Sequence, residues 1–136
     1  MNKTKMVLAA VVALVVALGA GYLWGAWGRW DLARQVRGAE QRAGIAETRG
    51  ALLAARVDLS ELNYGKAGGD IDRARKLLET LAVQFEQAGR DQATASVREA
   101  LARSGEAQQA AASVDQSAAA KVAEALKALD RAEGQR

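Results

Sequence analysis

Residues 71–88, IDRARKLLETLAVQFEQA, form the most regular amphipathic stretch of the chain. Apolar side chains recur in it at steps of three and four residues, which places them on one face of a helix. Gly89 follows directly, and glycine commonly ends a helix because it adopts a left-handed conformation. The stretch therefore predicts a helix with one buried face. Its predicted packing residues are Ile71, Leu78, Leu81 and Phe85.

Two more amphipathic stretches follow this helix. Asp91 is expected to cap a helix that ends at Gly105, and Asp115 to cap another that reaches Arg131. Each helix has about four or five turns at most, a length that needs tertiary packing to be stable. The remaining predicted packing residues of these helices are Leu101, Leu126 and Leu129.

Residues 69–74, GDIDRA, with the leucines that follow, resemble the second helix of a tetratricopeptide unit. A weaker version of the same pattern begins at Gly89, 20 residues later. The family repeats about every 34 residues, and no proline ends either helix. The resemblance implies helical hairpins that bind a protein partner, and we interpret it as convergence on that shape.

The clearest break in the helical pattern lies upstream, at residues 65–70, GKAGGD. Gly65 suits a left-handed helix terminus, and Asp70 can cap the helix that follows. A phosphate-binding loop is not supported, because no Gly-Lys-Ser/Thr follows a strand. An EF-hand does not fit either, because Leu81 stands where that motif needs a bidentate glutamate. The sequence predicts a glycine-rich loop without a ligand.

The N-terminal part contains 23 consecutive uncharged residues, from Met6 to Gly28. A bilayer core requires about 20 residues of helix, so the sequence predicts one transmembrane anchor. Aromatic rings at its far end suit the boundary between membrane and water. The expected interface anchors are Tyr22, Trp24, Trp27, Trp30 and Arg29.

A cleaved signal peptide covering residues 1–19 is the competing interpretation of this segment. Lys3 and Lys5 provide a basic start, and Ala17-Leu18-Gly19 is an acceptable cleavage site. The apolar run, however, continues beyond that site. Within the span, small residues recur at every fourth position, a pattern through which helices pack closely in lipid. This predicted packing ridge consists of Ala9, Ala13, Ala17, Gly21 and Gly25.

Beyond the anchor, apolar and small residues follow alternating steps of four and three, which predicts a long stalk helix with a heptad-like pattern. The pattern consists of Leu32, Val36, Ala39, Ala43, Ala46, Gly50, Leu53, Val57 and Tyr64, with Ser60 as the polar exception between the last two. Arginines occupy the opposite side, and the first three, next to the anchor, are expected to face lipid headgroups or a partner. These are Arg34, Arg37 and Arg42.

Formal charge is unevenly distributed: residues 1–28 carry +2, residues 29–56 carry +3 and residues 57–136 carry −2. The basic region is therefore next to the anchor. It lacks interleaved aromatic residues, so it does not indicate nucleic-acid binding.

The chain contains no histidine, cysteine or proline, and about a quarter of it is alanine. Without imidazole or thiol, the usual zinc, haem, iron–sulfur and copper ligand sets and the Ser-His and Cys-His nucleophiles are excluded. Carboxylate pairs occur on polar faces, where salt pairing and capping explain them. We therefore expect that the chain has no catalytic residue, no cofactor and no metal site, and that it is not an enzyme.

The sequence thus predicts an all-α protein in which one N-terminal transmembrane helix continues into a stalk helix, followed by three short amphipathic helices as a hairpin or bundle. The expected function is that of a structural or accessory subunit of a larger respiratory, photosynthetic or transport complex in the bacterial inner membrane. Its N-terminus would be cytoplasmic and its C-terminal domain periplasmic. Partners would be membrane lipids and integral membrane proteins.

The alternatives are a tethered helical binding module for a soluble protein and a self-associating coiled-coil spacer, which would be a homo-oligomer. The expected segments are 1–5, basic tail; 6–28, anchor; 29–64, stalk; 65–70, loop; 71–133, short-helix domain; 134–136, polar tail.

Overall fold

The computed structural model describes the backbone of residues 3–135 and the side chains of residues 6–22, 25 and 31–135. All regular structure in this part of the chain is helical, which confirms the prediction of an all-α fold. The helices are α1 (Lys3–Ser60), α2 (Tyr64–Gln87), α3 (Asp91–Ala112) and α4 (Ser117–Gly134).

The predicted membrane anchor is not supported by the described residues. Among them, no helix has both the length and the apolar character that crossing a membrane requires. Four of the predicted interface anchors have side chains outside the described part, so their surroundings are not specified. These are Trp24, Trp27, Arg29 and Trp30.

The chain divides into two compact units, residues 1–39 and residues 40–136. The first unit consists of the N-terminal part of α1. The second contains the rest of α1 together with α2, α3 and α4, and it holds the hydrophobic core.

Consecutive helices of the second unit are antiparallel, as their contacts show. On α1 and α2, Gly44 lies against Leu81 while Asp58 binds Lys66, so residue numbers rise along one helix as they fall along the other. The same ordering relates α2 to α3 and α3 to α4. The supporting pairs are Glu86–Arg98 and Arg75–Gln108 for α2 and α3, and Arg103–Glu124 and Glu99–Arg131 for α3 and α4.

α4 returns to α1, so the second unit is a closed four-helix bundle. The Arg49 guanidinium of α1 lies 2.7 Å from Asp130 Oδ1 and 2.5 Å from Glu133 Oε2 of α4. A closed ring of four antiparallel helices buries one face of each helix in a shared core. Among the described residues, the ten largest fully buried side chains are Phe85, Leu52, Ile71, Leu78, Leu81, Leu129, Val97, Val122, Thr48 and Ser104.

All three reversals of the bundle have the same geometry. In each, a residue with φ of about +60° follows the helix, and its N–H and the next N–H bond carbonyls three and five residues back. This is the Schellman arrangement, which satisfies the last carbonyls of a helix. The left-handed residues are Leu62 (φ 59°), Gly89 (φ 67°) and Val114 (φ 57°).

Only one of the three predicted reversals is therefore made as the sequence indicated. Gly89 ends α2 as expected. The predicted loop at 65–70 is wrong, because these residues form the first turns of α2, which Asn63 begins by accepting the Lys66 N–H at 3.4 Å. The predicted helix end at Gly105 is wrong too, since α3 continues to Ala112.

The predicted caps differ in their outcome. Asp91 is the first residue of α3, and Arg90 occupies the capping position without a side-chain hydrogen bond to the first turn of the helix. The Asp115 carboxylate accepts the Ser117 N–H at 2.8 Å, at the start of α4. Asp70 lies inside α2 and caps nothing.

Candidate interaction surfaces

The first unit presents an apolar surface on α1. From Met6 to Tyr22 every side chain is exposed, and the large apolar ones are between 52% and 74% exposed. An open groove of about 640 Å³ runs along one side of this segment. It is lined by Leu8, Ala9, Val12, Ala13, Val16, Ala17 and Ala20.

The predicted packing ridge lies partly on this groove. Ala9, Ala13 and Ala17 line it. A Cβ added at Gly21 or Gly25 would meet no other atom within 4 Å, so both positions are open. Tyr22, the one predicted interface anchor whose side chain is described, is 74% exposed.

A second apolar surface lies on α1 within the bundle unit, and we call it the α1 seam. It consists of Ala43, Ala46, Gly50, Leu53 and Val57. All five residues are exposed, Leu53 by 44% and Val57 by 56%. At Gly50 a Cβ would have open space around it. The heptad-like pattern predicted from the sequence therefore faces solvent along this part of α1.

The side of α1 that packs into the bundle is a different one, which sequence reasoning missed. It is formed by Ile45, Thr48, Leu52, Ala55 and Leu59, all at most 5% exposed. The available signal was the seven-residue spacing of Ile45, Leu52 and Leu59. It was hidden by the equally regular pattern on the other side of the helix.

Charged side chains border the α1 seam, so the prediction that the arginines lie opposite this pattern is wrong for Arg42, Arg49 and Arg56. The opposite side of α1 faces the bundle core. Arg42 and Arg56 are exposed, and Arg49 is 33% exposed beside Asp130 and Glu133. Glu133 and then Asp130 raise the pKa of Arg49 through their hydrogen bonds. Glu47 binds Arg73 at 2.7 Å, and Glu61 is exposed just beyond the helix.

Of the predicted headgroup-facing arginines, Arg34, Arg37 and Arg42 are all exposed. Arg37 donates from Nε to the Ala33 carbonyl at 3.1 Å. The predicted helix-packing residues lie in the bundle core or at its edge. Ile71, Leu78, Leu81, Phe85 and Leu129 are at most 1% exposed, and Leu101 and Leu126 are partly buried against the core.

A small acidic cluster joins α1 to the start of α2. The Asp58 side chain is 3% exposed and accepts a hydrogen bond from Lys66 Nζ at 2.9 Å through Oδ1, while Oδ2 is buried without a partner. Burial raises the pKa of Asp70, and the adjacent Asp58 carboxyl raises it further, against the opposing effects of Lys66 and Arg73. Hydrogen bonding to Asp58 raises the pKa of Lys66.

Among the described residues, no group of three or more histidine, cysteine, aspartate or glutamate side chains is placed to hold a metal ion. Comparison with known proteins gives no match to a family model, to a curated protein or to a solved structure.

Proposed function

We propose that this chain is a non-enzymatic, single-span membrane protein that serves as a structural or accessory subunit of a larger membrane complex. Residues 6–28 would be the anchor, and the bundle of residues 40–136 would be the extramembrane docking domain. The observation that carries the proposal is the exposed apolar run from Met6 to Tyr22, whose large side chains are all more than half exposed.

Removing a valine, leucine or methionine side chain from water is worth about 1.5–3 kcal/mol. Nine such side chains between Met6 and Leu18 are more than half exposed. Contiguous apolar surface of this extent marks an interaction site in a stable protein. A lipid phase fits the surface, because the run is uncharged around the whole helix and is not limited to one stripe.

The bundle supports the structural role over the alternative of a hairpin-type binding module. Repeat modules stack their hairpins in a line and bind ligands on a concave face. In this chain the ion pairs of Arg49 bring α4 back to α1, so the helices close on themselves. Docking would then use outer surfaces of the bundle, together with Arg34, Arg37 and Arg42 near the membrane.

Membrane integration can be tested with a charge-insertion pair. We expect the wild-type chain to stay in the membrane fraction after alkaline carbonate extraction. Val12→Arg with Val16→Arg should release it, because two buried arginines cost about 5–7 kcal/mol at the bilayer centre. The matched control, Val83→Arg with Val114→Arg, changes two valines of similar exposure on the bundle and should leave the chain in the membrane. Equal fractionation of both double variants would contradict the proposal.

The proposed inner-membrane topology has its own test. The intact mass of the extracted protein distinguishes an uncleaved anchor from a signal peptide removed after Gly19. Because the chain has no cysteine, a single Ser113→Cys reports the side of the bundle. We expect a membrane-impermeant maleimide to label it in spheroplasts without lysis, and labelling only after lysis would place the bundle in the cytoplasm.

The subunit role predicts co-migration with a larger assembly after extraction in mild detergent. Replacing residues 6–28 with an unrelated membrane span should abolish that co-migration while retaining membrane integration. A chain that migrates alone in both forms would contradict the role as a complex subunit.

A further inference from the structure

We propose that the α1 seam binds a second copy of this chain, forming a parallel, in-register coiled coil between two bundles. The proposal concerns the solvent-facing side of α1 in the unit of residues 40–136. It goes beyond the proposed function, since neither anchoring nor docking on another complex requires self-association.

Within the bundle unit, α1 has two opposite faces with separate roles. At about 100° per residue, the core-facing residues, such as Thr48 and Leu59, point roughly 160–180° away from the middle of the seam. The bundle is therefore complete without the seam. Exposed Leu53 and Val57 lie one turn apart on the side of α1 that the bundle leaves uncovered.

The residues of the α1 seam have the spacing of a coiled coil. Its residues occupy heptad positions a (Ala43, Gly50, Val57) and d (Ala46, Leu53) over two heptads. Such a stripe is self-complementary, because equivalent residues of two copies meet at a twofold axis. The small residues Ala46 and Gly50 would let the two helix backbones approach closely. Upstream, Leu32, Val36 and Ala39 continue the same spacing in the sequence and are exposed.

The positions that flank the α1 seam carry opposite charges on its two sides. The g positions are all basic, Arg42, Arg49 and Arg56. Two of the e positions are acidic, and the third is Ala54. Glu47 also binds Arg73 of its own chain, and Glu61 directly follows α1, where its N–H still bonds the Val57 carbonyl at 3.1 Å. In a parallel pair each g residue faces the e residue five positions later on the other helix, which brings Arg42 to Glu47 and Arg56 to Glu61.

This charge pattern selects the orientation and the partner. In an antiparallel pair, g positions face g positions and e positions face e positions, so arginine would meet arginine and glutamate would meet glutamate. Only the parallel arrangement pairs opposite charges. The seam has arginines along one edge and glutamates along the other, so two parallel copies have complementary charges. The partner that this pattern fits is a second copy of the chain. The parallel arrangement is also the one that two copies anchored in one membrane would adopt, a point that rests on the proposed function.

The test uses single cysteines in the full chain, which has none of its own. We expect Ala46→Cys and Leu53→Cys each to form a disulfide-linked homodimer under mild oxidation, because d residues meet at the axis. Val83→Cys, 52% exposed on α2, is the matched control and should crosslink at background level. Seam variants that crosslink no better than Val83→Cys overturn the proposal.

A charge-swap series tests the orientation. Arg56→Glu and Glu61→Arg should each reduce the Leu53→Cys homodimer at least about fivefold, because two symmetry-related pairs turn from attraction to repulsion. Arg56 and Glu61 are both exposed on the bundle surface, so the single changes leave the core intact. The combined variant restores opposite charges and should restore crosslinking. Failure of the combined variant to do so overturns the parallel pairing.

Other occupants of the seam give distinct results. A Leu53→Cys adduct with a different protein overturns the proposal that the partner is a second copy. Crosslinking between Ala43→Cys and Val57→Cys variants, without self-crosslinking of Leu53→Cys, indicates an antiparallel pair and overturns the parallel arrangement. Cysteine crosslinking can be measured in both the membrane fraction and the soluble fraction. A chain that is not in the membrane but crosslinks at the seam therefore contradicts the proposed anchor and supports the dimer.

Discussion

At the scale of single residues, the three reversals of the bundle share one backbone geometry but not one residue type. Gly89 adopts its left-handed φ of 67° without steric cost. Leu62 and Val114 carry side chains at the same geometry, and for a β-branched residue this is an outlier. Both are more than 60% exposed, so packing does not compensate for the strain. Tertiary structure elsewhere holds these two turns in place.

This difference predicts that Val114→Gly stabilises the bundle. Relief of the left-handed strain, reduced by the larger entropy of glycine in the unfolded chain, should raise the free energy of unfolding by about 1 kcal/mol. Urea unfolding of the full chain in detergent, followed by circular dichroism, measures the change. The control is Gly89→Ala, which introduces a side chain at the same geometry and should lower the free energy of unfolding by a similar amount. A shift of the same sign in both variants would contradict the interpretation.

The acidic cluster of Asp58, Lys66 and Asp70 predicts a pH effect. Because burial raises the pKa of Asp70 above its ordinary 3.8, the folded chain holds this proton more tightly than the unfolded chain does. The free energy of unfolding therefore falls as pH rises through the window just above 3.8. We expect Asp70→Asn to remove that loss and to stabilise the chain at pH 7 by about 0.5 kcal/mol, with the difference vanishing well below pH 3.8.

Asp72 supplies the control for Asp70, with the opposite sign. Lys76, whose Nζ lies 2.8 Å from Asp72 Oδ2, lowers the pKa of Asp72 through a hydrogen bond. The ionised Asp72 carboxylate therefore stabilises the folded chain at pH values above the ordinary pKa of aspartate. This stabilisation disappears as pH falls through the lowered pKa of Asp72 in the folded chain. Asp72→Asn should therefore destabilise the chain at pH 7. Urea midpoints of the two variants moving in the same direction at pH 7 would contradict the assignment of Asp70.

At the scale of the helix, α3 shows how little side-chain volume the bundle uses. Its buried face consists of alanine, serine and threonine with the single larger residue Val97. Ser104 is fully buried and donates to the Ala100 carbonyl at 2.8 Å, which satisfies its hydroxyl within the helix. Small side chains on this face allow α3 to approach α2 and α4 closely.

The small face of α3 predicts a sharp difference between two alanine substitutions. Ala107 is fully buried, and Ala107→Leu should lower the free energy of unfolding by about 1–3 kcal/mol through overpacking. Ala102 is exposed on the same helix, so Ala102→Leu should change it by less than about 0.5 kcal/mol. Thermal melts of the two variants compare them directly. Similar melting temperatures would show that α3 is loosely packed.

The sequence indicated α2 well and α3 poorly, for a physical reason. The buried face of α2 carries Ile71, Leu78 and Phe85, so its hydropathy alternates strongly along the helix. The buried and exposed faces of α3 are both rich in alanine, and Gly105 then resembles a helix end although it lies within the helix. Reversals at Leu62 and Val114 give no sequence signal, because neither residue favours the left-handed geometry.

Sequence alone also could not show which side of α1 is exposed. The heptad-like pattern was visible in the sequence, but spacing alone could not tell whether it faced the bundle or solvent. That choice depends on which side of α1 meets Leu81 and the other core residues. It becomes clear only when Gly44, rather than a seam residue, is seen against α2.

At the scale of the whole molecule, the bundle of residues 40–136 should fold without the first unit. Its low aromatic content and alanine-rich composition would also suit a segment that folds only on binding a partner. The closed core argues against that alternative, since Phe85, Leu52 and Ile71 are fully buried within the unit and α4 is tied back to α1 by Arg49.

We expect the isolated fragment 40–136 to show a single cooperative thermal transition by circular dichroism. Phe85→Ala should lower its free energy of unfolding by about 3–5 kcal/mol, whereas Val83→Ala on the exposed side of α2 should have little effect. A gradual, non-cooperative melt of the wild-type fragment that sharpens only when a partner is added would contradict independent folding.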